Sequence, residues 1–167
     1  DPATGELEWL FDPQAYRFEG GAHGGLSSRG VSYWSDGAGE ERIVVATGSL
    51  QLFTLDPQTG ELLRDFGEDG YVDLMQGLGR EVTRRNYNMK SPPTMCGDTI
   101  VLGSIVNDLG FTQEMPPGHV RGYDVRTGEM KWIFHTIPQS GELGIESWEN
   151  QSWQYTGNTN VWSWMSC

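Results

Sequence analysis

Short apolar–polar alternations, broken by turns rich in Gly, Asp and Pro, run along most of this 167-residue chain. Residues 31–34, 42–47, 50–55, 99–103 and 120–123 each read as a strand, as does the alternation of Met130, Trp132 and Phe134. Residues 161–167 read as one more. Four connections separate these runs, at 12–30, 67–90, 104–119 and 136–159. Little helix is expected, with one short piece near 72–77. The pattern predicts an all-β chain with its chemistry carried on loops between regular hairpins.

Three turns repeat one motif: an Asp, two free positions, Thr-Gly-Glu, an apolar residue, three free positions and Phe. The copies are Asp1-Pro2-Ala3-Thr4-Gly5-Glu6 through Phe11, Asp56-Pro57-Gln58-Thr59-Gly60-Glu61 through Phe66, and Asp124-Val125-Arg126-Thr127-Gly128-Glu129 through Phe134. An Asp side chain bonds the backbone ahead of it, and Gly accepts positive φ without steric cost. Apolar alternation before the second and third copies and after each turn makes it a β-hairpin, the first copy lacking its leading strand. The threonines are 55 and 68 residues apart, which leaves room for about four short strands and their loops per unit. That spacing predicts propeller blades; a sandwich of unrelated hairpins is the other architecture, but it needs no repeated turn. The repeat begins and ends mid-unit. The expected organisation is therefore a partial β-propeller over residues 1–167, an internal piece of a longer chain, with about two full blades and parts of others.

Composition narrows the functional classes. A formal net charge of −12, from 23 acidic and 11 basic residues, opposes nucleic-acid binding. With 23 glycines and seven tryptophans the chain suits turns and aromatic strands. No apolar run reaches membrane-spanning length. Cys96 and Cys167 lack any haem-attachment pattern, and Cys96 reads as a buried thiol.

These stretches together resemble the pyrroloquinoline quinone (PQQ) dehydrogenases, eight-bladed propellers with the quinone on the central axis. The Asp-x-x-Thr-Gly-Glu turns resemble that family's tryptophan-docking repeats. Four further stretches carry the likeness: Ser28-Arg29-Gly30-Val31-Ser32-Tyr33-Trp34, Ser91-Pro92-Pro93, Gly118-His119-Val120-Arg121-Gly122-Tyr123-Asp124-Val125-Arg126-Thr127-Gly128-Glu129, and Asn160-Val161-Trp162. With Trp132-Ile133-Phe134-His135-Thr136-Ile137-Pro138 and Gly141-Glu142, they point to the glucose dehydrogenase-like branch.

The resemblance implies an enzyme that oxidises a sugar, polyol or other alcohol hydroxyl with PQQ and Ca²⁺ or Mg²⁺. It implies electron transfer to an external acceptor, ubiquinone or a cytochrome. It also implies a periplasmic location, with anchoring to the inner membrane through regions outside this segment. PQQ is flat and carries three carboxylates, so its site needs cations, donors and a stacking face. Arg29 matches the family's quinone-contacting arginine; it equally suits a surface arginine at a strand start. Trp162 matches the tryptophan floor under the ring, and a core tryptophan is the plainer role. Ser91, Thr159 and Asn160 are further candidate contacts. Lys90 stands where the family often has Thr, and either pairs with a PQQ carboxylate or points to solvent. Asp108, with Asn107 beside it, lies where the family places a metal-ligating carboxylate; a solvated loop acid is the alternative. His23 sits where related alcohol dehydrogenases carry adjacent cysteines, a departure toward the sugar and polyol branch. No residue recommends itself as general base, which the resemblance places outside this segment. A non-catalytic propeller scaffold for protein partners shares the turns but has no use for Arg29, Ser91 and Trp162 converging.

Overall fold

A computed structural model describes residues 1, 3–18, 28–107 and 112–167. In chain order the strands are β1 (Ser32–Ser35), β2 (Glu41–Ala46), β3 (Gln51–Leu55), β4 (Tyr71–Asp73), β5 (Tyr87–Asn88), β6 (Thr94–Cys96), β7 (Thr99–Leu102), β8 (Ile105–Val106), β9 (Val120–Asp124) and β10 (Met130–Phe134). Two four-stranded antiparallel sheets result, β1-β2-β3-β4 and β6-β7-β9-β10; β5, which lies between them in sequence, pairs with β8, which lies between β7 and β9. Among the described residues the only helical pieces are three 3₁₀ stretches, Ala15–Arg17, Ile145–Ser147 and Glu149–Gln154.

Every copy of the turn closes in the same way. The Asp Oδ1 accepts two backbone N–H groups ahead of it: Ala3 and Thr4 at 2.6 and 3.0 Å, Gln58 and Thr59 at 2.8 and 2.9 Å, Arg126 and Thr127 at 2.9 and 3.0 Å. The Gly then takes φ of +75°, +71° and +75° and donates back to the Asp carbonyl. The Thr hydroxyl accepts the Glu N–H in all three. These N–H donors, Thr59 first, hold the Asp56 carboxyl below its ordinary pKa.

Glycine in the motif serves a second purpose, close approach between units. The indole of Trp9, from the first copy, lies on Gly60 of the second, where an added Cβ would stand 2.3 Å from the ring. Trp9 Nε1 donates to Pro57 O at 3.1 Å. In the third copy Gly128 faces Gly67 and Val72 instead, and Gly67 N–H donates to Thr127 O at 2.8 Å. The second copy carries Arg64 where the others carry Trp9 and Trp132.

The inner strands β2, β3, β7 and β9 contribute Val44, Ala46, Leu52, Ile100, Leu102 and Tyr123 to one core, which residues of the connections such as Leu50, Phe66, Leu74 and Met89 complete. β3 is buried along its whole length, as a central strand covered on both faces. Charged residues also join the two sheets. Arg126 of the third turn reaches Glu40 at 2.9 Å and Asp98 at 2.8 Å, with its guanidinium 4.6 Å from the Trp34 ring centroid. Arg126 thereby holds the Asp98 carboxyl below its ordinary range. Buried Arg42 pairs with the other Glu40 oxygen at 2.8 Å and with Asp65 at 3.0 Å.

Three expectations change. The segment near 72–77 is not helical: Tyr71 and Val72 pair with Phe53 and Leu52, because β3 has an edge to be completed and that pairing outweighs local preference. Residues 161–167 are not a strand, because their hydrogen bonds go mostly to side chains. Cys96 is not a buried thiol; it is half-buried and bridged to Cys167, with the two Cα atoms 5.9 Å apart.

Candidate functional site

The first strands of the two sheets, β1 and β6, lie side by side, and the residues just before each strand face the same place. Arg29 precedes β1, and Lys90 and Ser91 precede β6. Arg29 N–H donates to Lys90 O at 2.9 Å, which locks the two approaches together. The hydroxyl of Ser32 donates to Pro93 O beside them.

Across these approaches runs a strap, residues 157–167, with no strand pairing beyond one bridge between Gly118 and Asn160. Its path is fixed by close contacts. Gly118 and Gly103 leave room for it: an added Cβ would stand 2.3 Å from Asn160 Cβ in one case and 2.0 Å from Val161 O in the other. Asn160 Nδ2 donates to Ser104 O at 2.9 Å, and Ser104 N–H donates to Val161 O at 2.9 Å. Thr136 Oγ1 donates to Thr159 O at 2.8 Å. The carbonyl of Trp162 then accepts from Arg29 Nη1 at 3.3 Å and from the Ser91 hydroxyl.

The indole of Trp162 stays 53% exposed, with the Arg29 guanidinium 4.9 Å from its ring centroid. A shallow cavity of about 250 Å³ opens beside Arg29, lined in part by Ser32, Pro92, Thr94 and Trp164. Its volume lies a little below the roughly 300 Å³ at which drug-sized ligand pockets begin. Thus Arg29, Lys90, Ser91, Thr159, Asn160 and Trp162, drawn from three distant stretches, are joined by direct contacts or adjacent positions. Asn107 N–H donates to Asn86 O at 3.0 Å beside the β5–β8 pair. His23 and Asp108 lie outside the described residues. Among the described residues no group of three His, Cys, Asp or Glu side chains has metal-holding geometry.

Two features escape a reading of the sequence alone. Ser104 is 2% exposed, and its Oγ is the one buried side-chain N or O atom among the described residues that lacks a hydrogen-bond partner. Such an atom costs free energy unless something satisfies it. The break after Gly103, where the apolar run of β7 stops, was its only signal. The second is a histidine pair. His119, 3% exposed, accepts the Thr136 N–H at Nδ1 (3.3 Å), and its ring meets that of His135 edge to face at 4.6 Å. His135 Nδ1 in turn lies 2.7 Å from Glu142 Oε1.

Burial, followed by the positive field of His135, Arg80 and Arg121, pushes the His119 pKa down to about 4 from an ordinary 6.5, against a smaller opposing pull from Glu142. In the unfolded chain this imidazole takes up a proton near pH 6.5, but in the fold only near 4. The unfolded state therefore binds more protons in that window, and stability falls as pH drops through it. Above pH 6.5 the effect vanishes. Between pH 7 and 4.5 the wild type should lose about 2–3 kcal/mol more than His119→Gln, whose amide keeps an acceptor for Thr136. Urea unfolding of both proteins at the two pH values measures the difference; parallel losses would refute it.

Comparison with known proteins now bears on this geometry. The family described as "PQQ: Glucose/ethanol/alcohol dehydrogenase, beta-propeller domain" matches residues 1–167. The chain belongs to this PQQ dehydrogenase propeller family. It is 31% identical over 153 residues to quinoprotein glucose dehydrogenase A of Acinetobacter calcoaceticus, covering 81% of the chain and 19% of that protein. It is 33% identical over 129 residues to the quinate/shikimate dehydrogenase (quinone) of Acinetobacter baylyi, covering 71% and 16%. The PQQ propeller chain thus spans about a fifth of the length of the curated relatives it matches. Among solved structures, the quinohemoprotein alcohol dehydrogenase from Comamonas testosteroni superposes with a TM-score of 0.60 at 24% identity, over 88% of this chain and 19% of that one. The likeness fixes the fold: the two four-stranded sheets of this PQQ-family chain are propeller blades, and the fragment is a partial β-propeller.

Proposed function

We propose that this chain supplies part of the PQQ-binding sector of a dehydrogenase that oxidises a sugar or polyol hydroxyl and passes the electrons to a quinone or other external acceptor. One observation carries the reading: Arg29, Ser91 and Trp162, separated by up to 133 positions, meet at one point. A scaffold that only docks other proteins has no need of this meeting.

The residues suit the cofactor chemically. A guanidinium matches a carboxylate or quinone oxygen, a half-open indole offers a flat stacking face, and the unpartnered Ser104 hydroxyl offers a donor below the strap. When bound, PQQ supplies the ortho-quinone that takes up the two electrons of the substrate hydroxyl. Arg29 orients and neutralises an acidic edge of the cofactor, and Trp162 forms the floor. Thr159 and Asn160 line the same strap, and Lys90 adds positive charge beside Arg29. Asn107 and Asp108 are the ligands assigned to Ca²⁺ or Mg²⁺. The general base belongs to another part of the protein. The relatives named for glucose and for quinate/shikimate support a polyhydroxylated substrate. The Cys96–Cys167 bridge supports a periplasmic location, since disulfides persist in oxidising compartments.

The test uses the full-length protein with PQQ and either divalent ion. It should bind PQQ, seen as quenching of tryptophan emission, and reduce a dye with at least one aldose or polyol. Arg29→Ala should weaken PQQ binding roughly 30-fold, the loss of about 2 kcal/mol from one charge-assisted contact. Absence of PQQ binding by the wild type overturns the reading.

A further inference from the structure

Trp162 is hydrogen-bonded at its backbone, and its ring has the Arg29 guanidinium 4.9 Å from its centroid. Both bonds on that residue end on the carbonyl, from Arg29 and Ser91. Upstream the strap is well fastened, through Thr159, Asn160 and Val161. Downstream it is not. Ser163, Trp164 and Ser166 are exposed, and one hydrogen bond of 3.4 Å, from Thr94 Oγ1 to Met165 O, ties this stretch to β6. The remaining tether is covalent: Cys167 is bridged to Cys96, the last residue of β6. β6 is a firm anchor, since Thr94, Met95 and Cys96 all pair with β7. The Cα separation of 5.9 Å falls in the usual range for a disulfide.

We propose that the Cys96–Cys167 bridge is a positioning element for the cofactor floor, clamping the far side of the strap so that the Trp162 indole stays presented beside Arg29. With the bridge open, residues 163–167 keep the hydrogen bond from Thr94 Oγ1 to Met165 O as their tie to β6. Trp162 then samples orientations in which its face is turned from the site, and binding of a flat ligand must first restore the productive one. A population divided among several orientations weakens apparent affinity in proportion to the productive fraction. The chemistry at saturating cofactor is expected to be unchanged, because the bridge acts only through the orientation of Trp162. The affinity part of this proposal rests on the PQQ reading above; the clamp itself does not.

The experiment takes the full-length protein and compares the wild type with the double variant Cys96→Ser, Cys167→Ser, which leaves no lone thiol. Non-reducing peptide mapping of the wild type should yield a peptide pair joined through the two cysteines. In the double variant, amide hydrogen exchange should accelerate about tenfold or more over residues 161–166, while β7 and β9 exchange as before. The PQQ dissociation constant should rise about tenfold, with kcat at saturating PQQ unchanged. If the double variant does not fold, the folded wild type is treated with a water-soluble phosphine. The phosphine gives two electrons to the S–S bond and takes oxygen from water as its oxide, and the two sulfurs each gain a proton; the same exchange and affinity changes are expected. Two free thiols in the wild type, or unchanged exchange over 161–166, would overturn the clamp. Faster exchange with unchanged PQQ affinity would overturn its role at the floor. A wild type that binds no PQQ, with faster exchange in the variant, would overturn the PQQ reading and leave the clamp standing.

Discussion

Gly103→Ala should weaken PQQ binding by about 100-fold, equivalent to roughly 2.7 kcal/mol, in an otherwise folded protein. The added methyl would stand 2.0 Å from Val161 O, well inside contact distance, and the obstacle is backbone that no rotamer change relieves. Val161 O also accepts the Ser104 N–H at 2.9 Å, so moving the strap breaks that bond. Trp162 is the next residue, and its stacking face and its carbonyl contacts with Arg29 and Ser91 move with it. Gly37→Ala is the matched control. Gly37 has φ of +73° in the β1–β2 turn with nothing within 4 Å of an added Cβ. Its cost should be about 1 kcal/mol of backbone strain and no loss of affinity. Tryptophan-emission titrations with PQQ on both variants decide the matter. Equal affinities for the two would refute a strap seated on Gly103.

Arg121→Met should cost about 3 kcal/mol of stability, lowering the melting midpoint by roughly 6–12 °C for a chain of this size. Arg121 is 1% exposed in the middle of β9. Its guanidinium donates to Gln76 O and Leu74 O at 2.8 Å each and to the Tyr87 hydroxyl at 3.3 Å, and it lies 5.6 Å from the Tyr123 ring centroid. Two effects oppose one another. Removing a buried charge relieves desolvation, and methionine fills similar volume, so some buried ionic groups are replaced without loss. Here, however, the acceptors are backbone carbonyls that remain after the substitution. Each buried group left unsatisfied costs about 1–3 kcal/mol, which outweighs the relief. Tyr87→Phe removes only the weakest of the three contacts and should cost about 1 kcal/mol. Thermal unfolding followed by circular dichroism reads both. A shift under 2 °C for Arg121→Met would show that desolvation relief wins.

Much of the fold could be read in the chain because its signals are local. The Asp-x-x-Thr-Gly-Glu turn is closed by bonds among residues no more than five apart, so three copies announce three tight turns before any packing is known; among the described residues only the third, between β9 and β10, joins two full strands, and the second is followed by a single bridge, Leu55 to Leu62. Alternation in residues 42–47 likewise marks β2, whose residues face alternately inward. What failed, failed where partners are distant. Val72 looks helical until β3 offers an open edge. The last residues look like a strand because Val161, Trp162 and Trp164 favour extended backbone, yet beyond the Ser104 N–H on Val161 O their partners are the side chains of Arg29, Ser91 and Thr94. Cys96 looks like a lone thiol because Cys167 lies 71 positions away.

For the candidate site the division is similar. Arg29, Ser91 and Trp162 were identified by motif, and their meeting was expected from the family resemblance. Ser104 carried no motif, and only burial beneath the strap makes its unpartnered hydroxyl noticeable. The sequence by itself determined the hairpin turns, the all-β class and the residue types available for an acidic, flat ligand, because those depend on neighbours along the chain. The tertiary structure decided which loops share one site, that a strap and not a strand carries Trp162, and that a disulfide closes it, because those depend on contacts that exist only once the two blades have packed.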